Sequence, residues 1–356
     1  MTTYLVTGGA GFIGSALVRH LVLTRDADVV TVDKLTYAGS LAALASVAGH
    51  PRHRFVVADV ADGPGVFALL AETQPDVIFH LAAESHVDRS ITRPADFIHT
   101  NLVGTATLLQ AVLSYWESLE AGRAQRFRLV HASTDEVFGS LGPVGAFTEA
   151  SPYRPSSPYS ASKAGADHLV RAWHRTWGLP ALLLHASNCY GPFQHPEKLI
   201  PTVITRALAG LPIPVYGTGE NIRDWLHVDD QVQALVRAAE GGRPGESYLV
   251  GARNERRNID LVREICGVLD HLHPDPAGPY ARLAHFVGDR PGHDFRYAVD
   301  PSRAERELGW RASVLWSAGL RATVEWYLAN ATWVGEMLAS SADDVTGQPP
   351  WDDISN

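Results

Sequence analysis

The chain has 356 residues, is 46% hydrophobic and carries a formal net charge of -9. This composition can fill the core of one large domain or two ordinary ones, and the negative charge argues against a nucleic-acid surface, which needs clustered positive charge. The sequence contains no uncharged apolar run of about 18 residues, so we expect no membrane segment.

The cysteines and the N-terminus indicate a cytoplasmic protein without structural disulfides. Cys189 and Cys266 are too few for a disulfide framework, and neither has a metal-ligand spacing. His50 and His53 lie close together without a carboxylate or thiol partner, so we expect no metal site. The chain enters a strand without the basic and apolar segments of a signal peptide, and we therefore expect it in the cytoplasm.

The N-terminal segment has the pattern of a dinucleotide-binding site. An apolar strand at 4–6 precedes a glycine-rich stretch at 7–14, and a helical pattern follows at 15–23. The glycines Gly8, Gly11 and Gly14 are spaced in threes, unlike the commonest G-x-G-x-x-G fingerprint. A helix that begins after such a loop places its N-terminus against a pyrophosphate.

The next strand supports the same interpretation. It is predicted at 29–32 and ends in Asp33, whose carboxylate can accept the ribose hydroxyls of adenosine. A carboxylate there repels a 2'-phosphate, which favours NAD over NADP, although the adjacent Lys34 weakens that preference.

Two further strands end in groups suited to a cofactor. The strand at 54–58 ends in Asp59 and Val60, where an adenine could be held; Asp62 is the better N-cap for the helix predicted at 62–72. The buried strand at 77–83 ends in small residues across which a cofactor can lie. The polar stretch 84–90 that follows is typical of a lined pocket.

A long helix is predicted from 96 to about 117. Its apolar stripe could be core packing or a dimer face, and it consists of Phe97, Leu102, Leu108, Leu109, Val112 and Leu113.

The stretch from His131 to Lys163 holds the candidate reactive groups. Asp135 and Glu136 come directly after the strand predicted at 127–132, at the edge of a parallel sheet where ligands bind. Tyr159 and Lys163 are four residues apart and share one face of the helix predicted at 160–177. Since an ammonium near a phenol favours the phenolate, Tyr159 is a candidate proton acceptor near neutral pH.

Alternation of strands and helices predicts an α/β fold with a doubly wound parallel sheet of the Rossmann type. After a strand at 181–185 the chain becomes richer in proline, which indicates a smaller mixed α/β domain. We predict a first domain at 1–190 with returns at about 225–252, a second at 191–224 and 253–337, and a loosely held tail at 338–356. Predicted elements of this half are helices at 227–239, 259–269 and 317–328 and a strand at 248–250.

The order of motifs resembles the extended short-chain dehydrogenase/reductases, and within them the dTDP-glucose 4,6-dehydratases. The glycine loop and the pair Tyr159 and Lys163 carry the superfamily resemblance. The closer resemblance rests on the stretches 32–39, 83–90, 133–139, 196–201, 223–226 and 289–294. Phe138 stands where this family usually has tyrosine, and Cys189 where it often has asparagine.

The resemblance implies a three-stage reaction in which NAD is reduced and reoxidised within one turnover. Tyr159, assisted by Lys163 and Thr134, would remove the C4 hydroxyl proton of the sugar while hydride passes to NAD. Glu136 would then take the C5 hydrogen as base, and Asp135 would protonate the departing C6 hydroxyl. Hydride would return to C6, giving dTDP-4-keto-6-deoxyglucose. Two close carboxylates sharing one proton can divide these roles.

The resemblance also implies the binding residues, the second domain's role in holding the sugar nucleotide, and a homodimer. The residues expected at NAD are Gly8, Gly11, Phe12, Ile13, Gly14, Asp33, Lys34, Leu35, Thr36, Asp59, Val60, Leu81, Ala82, Ala83, Ser85, Thr100, Tyr159 and Lys163. Those expected at the substrate are Ser85, Thr134, Asn188, Glu197, Lys198, Leu199, Pro214, Tyr216, Arg223, Asn258, Arg290 and His293.

Three alternatives stay open at this stage. A dehydratase acting on a UDP- or GDP-sugar would share the same motifs. A sugar-nucleotide 4-epimerase shares Tyr159 and Lys163 but usually carries small residues at the positions of Asp135 and Glu136. A regulator that binds NAD without chemistry tends to lose the tyrosine or the lysine, and this chain has both.

Overall fold

The structure is a computed structural model that describes residues 2–25 and 27–342. Its strands are β1 (Thr3–Thr7), β2 (Asp28–Asp33), β3 (His53–Val57), β4 (Val77–His80), β5 (Arg128–Thr134), β6 (Ala181–Ala186), β7 (Asn188–Tyr190), β8 (Ile213–Tyr216), β9 (Ile222–His227), β10 (Ser247–Val250), β11 (Glu255–Arg257) and β12 (Ala284–Val287).

The α-helices are α1 (Phe12–Thr24), α2 (Gly63–Thr73), α3 (Val87–Thr92), α4 (Pro94–Phe97), α5 (Thr105–Glu117), α6 (Ala121–Arg126), α7 (Pro158–Trp177), α8 (Leu199–Leu208), α9 (Val228–Gly241), α10 (Asn258–Leu272), α11 (Ser302–Leu308), α12 (Trp316–Ala329) and α13 (Ala331–Ala342). A π-helical segment, Ile98–Gly104, joins α4 to α5, and short 3₁₀ segments are Leu41–Val47, Asp135–Phe138 and Tyr280–Leu283.

The main sheet has seven parallel strands in the order β10-β6-β5-β4-β1-β2-β3. Alternate residues such as Leu5 and Val6 enter separate hydrophobic cores on its two faces. Residues of α1, α9 and α11 contribute to one core, and residues of α2, α5 and α7 to the other. This confirms the predicted doubly wound Rossmann sheet. The strand order reverses between β1 and β4, which creates the crevice where such sheets bind ligands.

A third hydrophobic core lies outside the main sheet. It is formed largely by α8, α10, α12 and α13 with two small sheets, ordered β11-β9-β7 and β12-β8. The chain returns to the main sheet through α9 and β10, so the two regions are interleaved along the sequence. Their loops meet above the carboxyl ends of the main strands.

The apolar stripe of the long helix belongs mainly to the chain's own core. Leu108, Leu109 and Val112 are at most 1% exposed, and they join the core on the α2 side of the sheet. The stripe therefore does not need a dimer to explain it. The helix itself is not continuous, because the π-helical segment interrupts it.

The C-terminal end holds a helix that the sequence pattern did not predict. α13 follows α12 after a single residue and buries Trp333, Val334 and Met337. The indole of Trp333 donates to the Ser40 hydroxyl at 3.0 Å, so this helix contacts the loop after β2. Of the predicted tail, residues 338–342 complete α13, and the rest lies outside the described residues.

None of the helices in the described part of the chain combines the length and apolarity needed to cross a bilayer.

Candidate active site

Two adjoining cavities of about 230 Å³ each open at the carboxyl ends of the main strands. The glycine-loop cavity contains Gly8, Gly11, Gly14 and Asp33 in its wall. The cationic cavity is lined by groups that include Arg223 and Arg290. Four residues belong to both walls and mark the junction: Ser85, Gln194, Glu197 and Lys198.

The glycine loop is shaped for close approach of a ligand to the backbone. Gly8 has a φ of +69°, and a Cβ on Gly14 would lie only 2.1 Å from the carbonyl oxygen of Gly8. Gly11 caps α1 without a side-chain hydrogen bond, which leaves the first N–H groups of the helix for a ligand. These features fit a pyrophosphate.

Asp33 also holds this loop in place. Its two carboxylate oxygens accept from the backbone N–H of Ala10 at 3.0 Å and of Leu35 at 2.8 Å. Burial raises the pKa of Asp33, against the effect of these two bonds. Beside it the Lys34 ammonium lies 3.5 Å from the Asp59 carboxylate and donates to Thr100 at 3.0 Å.

The glycine-loop cavity brings together almost the entire predicted cofactor set. The exception is Leu35, which has a φ of 57° and packs against the main core. A side chain held inward by a left-handed turn cannot be recognised from sequence spacing. Lining residues outside both predicted sets are Val32, Ala38, Gly39, Ala58, Glu84, Ala132, Ser133, Gln194 and His195. Glu197 and Lys198, predicted at the substrate, also line this cavity.

Tyr159 and Lys163 both line this cavity near the end of β5, and both are buried. The Lys163 ammonium donates to the Ala132 carbonyl at 2.8 Å. Burial raises the pKa of Tyr159, the charges of Glu136 and Asp135 act in the same direction, and the Thr134 hydroxyl opposes them. In the protein alone, burial thus outweighs any stabilisation of the phenolate by the Lys163 ammonium.

The two adjacent carboxyl groups lie in different electrostatic surroundings. Burial, then the charge of Glu136, raises the pKa of Asp135 well above its usual range. Burial also raises the pKa of Glu136, but Arg290, Arg223 and Lys198 oppose it. Asp135 is therefore the carboxyl that stays protonated more readily, whereas the three cations act in favour of an ionised Glu136. This order is the one that the predicted acid and base roles require.

A buried hydrogen-bond network lies below Lys163, one helical turn along α7. One oxygen of Asp167 accepts from Ser133 at 2.8 Å, from His185 at 2.9 Å and from Tyr153 at 3.0 Å. His131 Nε2 lies 3.4 Å from both Lys163 Nζ and the other oxygen of Asp167. Because the network joins α7 to β5 and β6, it fixes the segment that carries the reactive groups.

The cationic cavity contains every predicted substrate residue except Thr134. Thr134 ends β5; its hydroxyl donates to Asp135 at 3.4 Å and accepts from the N–H of Glu136 at 3.3 Å. Several lining residues have a buried polar atom without a hydrogen-bond partner among the described residues, which suits a polar ligand. These atoms are Asn188 Oδ1, Gln194 Oε1, Trp225 Nε1, Asn258 Oδ1 and Arg290 Nε.

Sequence reasoning missed individual residues on this wall, including His86, Asp88, Trp225 and Tyr297. His86 and Asp88 lie in the polar stretch 84–90, so that signal was available. Trp225 and Tyr297 could not be separated from ordinary core aromatics.

The two departures from the family pattern have different surroundings. Phe138 is 3% exposed and contacts the rings of Phe147, Tyr153 and His185 below the site. Cys189 lines the cationic cavity, and burial raises the pKa of its thiol.

Glu197 connects the two cavity walls at their junction. It accepts from the Tyr37 hydroxyl at 3.2 Å, and its other oxygen lies 3.8 Å from Arg89 Nε. The Arg89 guanidinium stacks on the Tyr37 ring at 3.6 Å. Next to Glu197, Lys198 donates to the Ser85 carbonyl at 2.7 Å. The loop after β2 is thus tied to the segment that precedes α8.

Known proteins share this architecture over nearly the whole chain. A family model described as GDP-mannose 4,6 dehydratase matches residues 5–323. A probable dTDP-glucose 4,6-dehydratase of Sinorhizobium fredii is 57% identical over 92% of this chain and 93% of its own length. The dTDP-glucose 4,6-dehydratase 1 of Escherichia coli K12 is 51% identical over 95% of this chain and 96% of its own.

Solved structures agree with these sequence relatives. The dTDP-glucose 4,6-dehydratase of Streptomyces venezuelae, determined with NAD and TYD bound, has a TM-score of 0.85 and 45% identity over 94% of this chain and 100% of its own. The UDP-glucose 4-epimerase of Thermotoga maritima, determined with UDP-glucose, has a TM-score of 0.81 and 27% identity over 93% of this chain and 100% of its own. Fold alone does not separate the two activities, but identity above half to curated relatives of near-equal length does. The chain therefore belongs to the dTDP-glucose 4,6-dehydratase family.

Proposed function

We propose that this protein is an NAD-dependent dTDP-glucose 4,6-dehydratase that forms dTDP-4-keto-6-deoxyglucose for deoxysugar biosynthesis. The observation that carries the proposal is the adjacent pair Asp135 and Glu136 beside Tyr159. Both pKa values are raised, but that of Asp135 lies well above its usual range, while three cations oppose the rise for Glu136. An elimination needs an acid and a base at once, and this pair supplies both.

The glycine-loop cavity supports NAD as the cofactor. The backbone of the glycine loop would hold the pyrophosphate, and Asp33 the adenosine ribose. When bound, NAD supplies the acceptor for the C4 hydride, a positive ring charge in its oxidised form, and the donor of the hydride returned to C6. Solved relatives contain NAD, which supports the same choice.

Proton transfers divide among the chain's own residues. Tyr159 accepts the C4 hydroxyl proton while Thr134 orients that oxygen. Glu136 removes the C5 proton, which the 4-ketone has made acidic, and Asp135 gives its proton to the departing C6 hydroxyl so that water leaves. Glu136 finally returns its proton to C5. Lys163, held by the Ala132 carbonyl, keeps a positive charge near the phenol.

The cations of the second cavity support a nucleotide diphosphate as the substrate's anchor. Lys198, Arg223 and Arg290 supply the charge, and guanidinium groups match phosphate oxygens geometrically. By resemblance, the remaining predicted substrate residues complete the contacts to the nucleotide and sugar.

We also propose that the protein is a cytoplasmic homodimer, as the resemblance implies. Light scattering coupled to size-exclusion chromatography tests the dimer directly. A mass of about one chain across the working concentration range would rule out the dimer.

Mass spectrometry tests the reaction. Purified protein is incubated with dTDP-glucose and, separately, with UDP-glucose, without added NAD. Loss of one water from the dTDP sugar alone is the expected result, with a cofactor that co-purifies and recycles. Loss of water from the UDP sugar alone would instead support a dehydratase of different base preference.

A sugar-nucleotide 4-epimerase is the second candidate, because an epimerase has nearly the same TM-score as the dehydratase. Against it, a 4-epimerase has no step for a carboxylic acid and base to catalyse. If the sugar mass stays unchanged with NAD added, NMR detection of the C4 epimer would favour the epimerase. Absence of both products, the dehydrated sugar and the C4 epimer, would favour a non-catalytic NAD-binding regulator.

A further inference from the structure

Asp88 is one of three acidic residues, with Glu136 and Glu197, in the wall of a cavity otherwise suited to an anion. It lies in the first turn of α3 and lines the cationic cavity with Lys198, Arg223 and Arg290. Coulomb repulsion alone predicts that a carboxylate here weakens the binding of a diphosphate. Its presence therefore calls for another role.

Both oxygens of Asp88 are engaged by residues from the other side of the cleft. One lies 3.3 Å from NH1 of Arg290, and the other accepts from the Tyr216 hydroxyl at 3.1 Å. Arg290 is 202 positions away in sequence and Tyr216 is 128 positions away. The side chains of Asp88 and Arg290 are only 15% and 16% exposed. Asp88 thus joins α3 to the end of β8 and to the loop that follows β12.

The way Arg290 is held leaves part of its guanidinium available. NH1 is on Asp88, while Nε is buried and has no hydrogen-bond partner among the described residues. A guanidinium fixed at one nitrogen keeps a defined orientation for the others. The neighbouring loop is also ordered, since His293 Nδ1 lies 2.6 Å from Asp289 Oδ1, an oxygen that accepts from the Arg290 N–H at 2.9 Å.

We propose that Asp88 is a positioning residue for substrate binding: it holds Arg290 and Tyr216 across the cleft so that Arg290 Nε meets the diphosphate of the nucleotide sugar. The identity of the ligand rests on the proposed function, whereas the link from Asp88 to Arg290 and Tyr216 rests on the contacts of Asp88 described above. The opposing hypothesis is that Asp88 competes with the diphosphate for Arg290.

The two hypotheses predict opposite signs for one measurement. Asp88→Asn removes a negative charge and weakens the hold on Arg290, and dTDP binding is measured by isothermal titration calorimetry. Positioning predicts a dissociation constant about tenfold higher, since the charge-assisted hydrogen bond from the arginine becomes a weaker neutral one. Competition predicts a lower dissociation constant. Unchanged or tighter binding by the variant overturns the proposal.

A charge-preserving variant separates position from charge. Asp88→Glu leaves the Coulomb term unchanged but displaces the carboxylate by one methylene, so positioning predicts severalfold weaker dTDP binding. Equal binding by Asp88→Glu and the parent protein would contradict positioning. This variant also carries the test if Asp88→Asn does not fold, which thermal unfolding will show.

A matched control and a kinetic measurement complete the design. Glu72→Gln removes a carboxylate from an exposed pair with Arg54, far from both cavities, and should leave dTDP binding unchanged. Asp88→Asn should raise KM while kcat falls less than twofold, since no proton transfer uses Asp88; a fall confined to kcat would refute the positioning role. Absence of dTDP binding by the parent protein would refute the proposed function instead, so the two failures are distinguishable.

Discussion

The proton-transfer groups and the cationic groups of this site are assembled in different ways. Asp135 and Lys163 are 1% and 4% exposed; Asp135 lies on the short segment after β5, and Lys163 lies on α7. Arg223 and Arg290 come from separate parts of the second region: Arg290 contacts Asp88, and Arg223 donates to the Asp294 carbonyl at 2.9 Å. Burial shifts the pKa values of the proton-transfer groups, whereas contacts between distant segments position the cationic groups. Substitutions should therefore affect chemistry in the one case and binding in the other.

The largest expected effect is on the chemistry of the buried group. Glu136→Gln removes the proposed base, and turnover should fall about a hundredfold to ten-thousandfold. Reduction of bound cofactor by substrate should persist, because that earlier stage uses Tyr159. Absorbance of the reduced nicotinamide and exchange of the C5 hydrogen with solvent measure the two stages. Normal C5 exchange in the variant would show that another group is the base. Glu240→Gln, in an exposed pair with Arg25, is the control.

The second-largest effect concerns the buried hydrogen-bond network around Asp167. Its loss tests whether this network stabilises the segment that carries the proton-transfer groups. Asp167→Asn removes a carboxylate that accepts from three side chains, so the free energy of unfolding should fall by about 3 kcal/mol. Asp260→Asn, which breaks more exposed pairs with Arg257 and Arg263, should change it by no more than about 1 kcal/mol. Urea unfolding of both variants measures the contrast. Equal losses would mean that burial gives Asp167 no special importance.

A pH profile sharpens the same contrast. Burial lowers the pKa of Lys163 to about 8, so its charged form declines as the pH rises through that value. If the charge is required, kcat should fall about tenfold per pH unit above it. On the acid side, activity should rise as Glu136 ionises, through a pKa above its usual range. Lys163→Arg should move the alkaline limb upward; an unmoved limb would assign it to Asp135.

The smallest expected effect concerns the contact between the cavity walls. Tyr37→Phe removes the hydrogen bond to Glu197 and should speed NAD release about fivefold, the equivalent of about 1 kcal/mol. Tyr115→Phe removes a comparable bond, to the Pro75 carbonyl, away from the cavities and should leave release unchanged. Both variants are loaded with NADH, and the loss of bound-cofactor fluorescence after dilution measures the release rate of each. Similar rates in the two variants would show that the Tyr37 contact does not retain NAD.

The sequence predicted best what depends on short spacing. The glycine loop, Asp33 and the neighbours Asp135 and Glu136 could be placed because strand ends and helix starts fix their positions. Spacing could not predict the raised pKa of Tyr159, since a four-residue spacing shows which side chains share a face but not how deeply they are buried.

Residues whose role depends on distant partners could not be identified. Asp88 contacts Arg290, 202 positions away, and Asp167 accepts from Ser133, Tyr153 and His185. His131 and His185 lie within apolar strands and resemble core residues in the sequence. Helix α13 was missed because its buried positions contact α12 and Ser40, and neither contact leaves a local pattern.

The two backbone bonds of Asp33 limit how the cofactor preference of this protein can be changed. One carboxylate oxygen accepts from Ala10 in the glycine loop, and the other supports the left-handed turn at Leu35. Replacing Asp33 to admit a 2'-phosphate would release both the loop and the turn. A designer who wants NADP specificity would therefore have to rebuild the turn after β2 as a unit, and natural drift by single substitutions faces the same barrier.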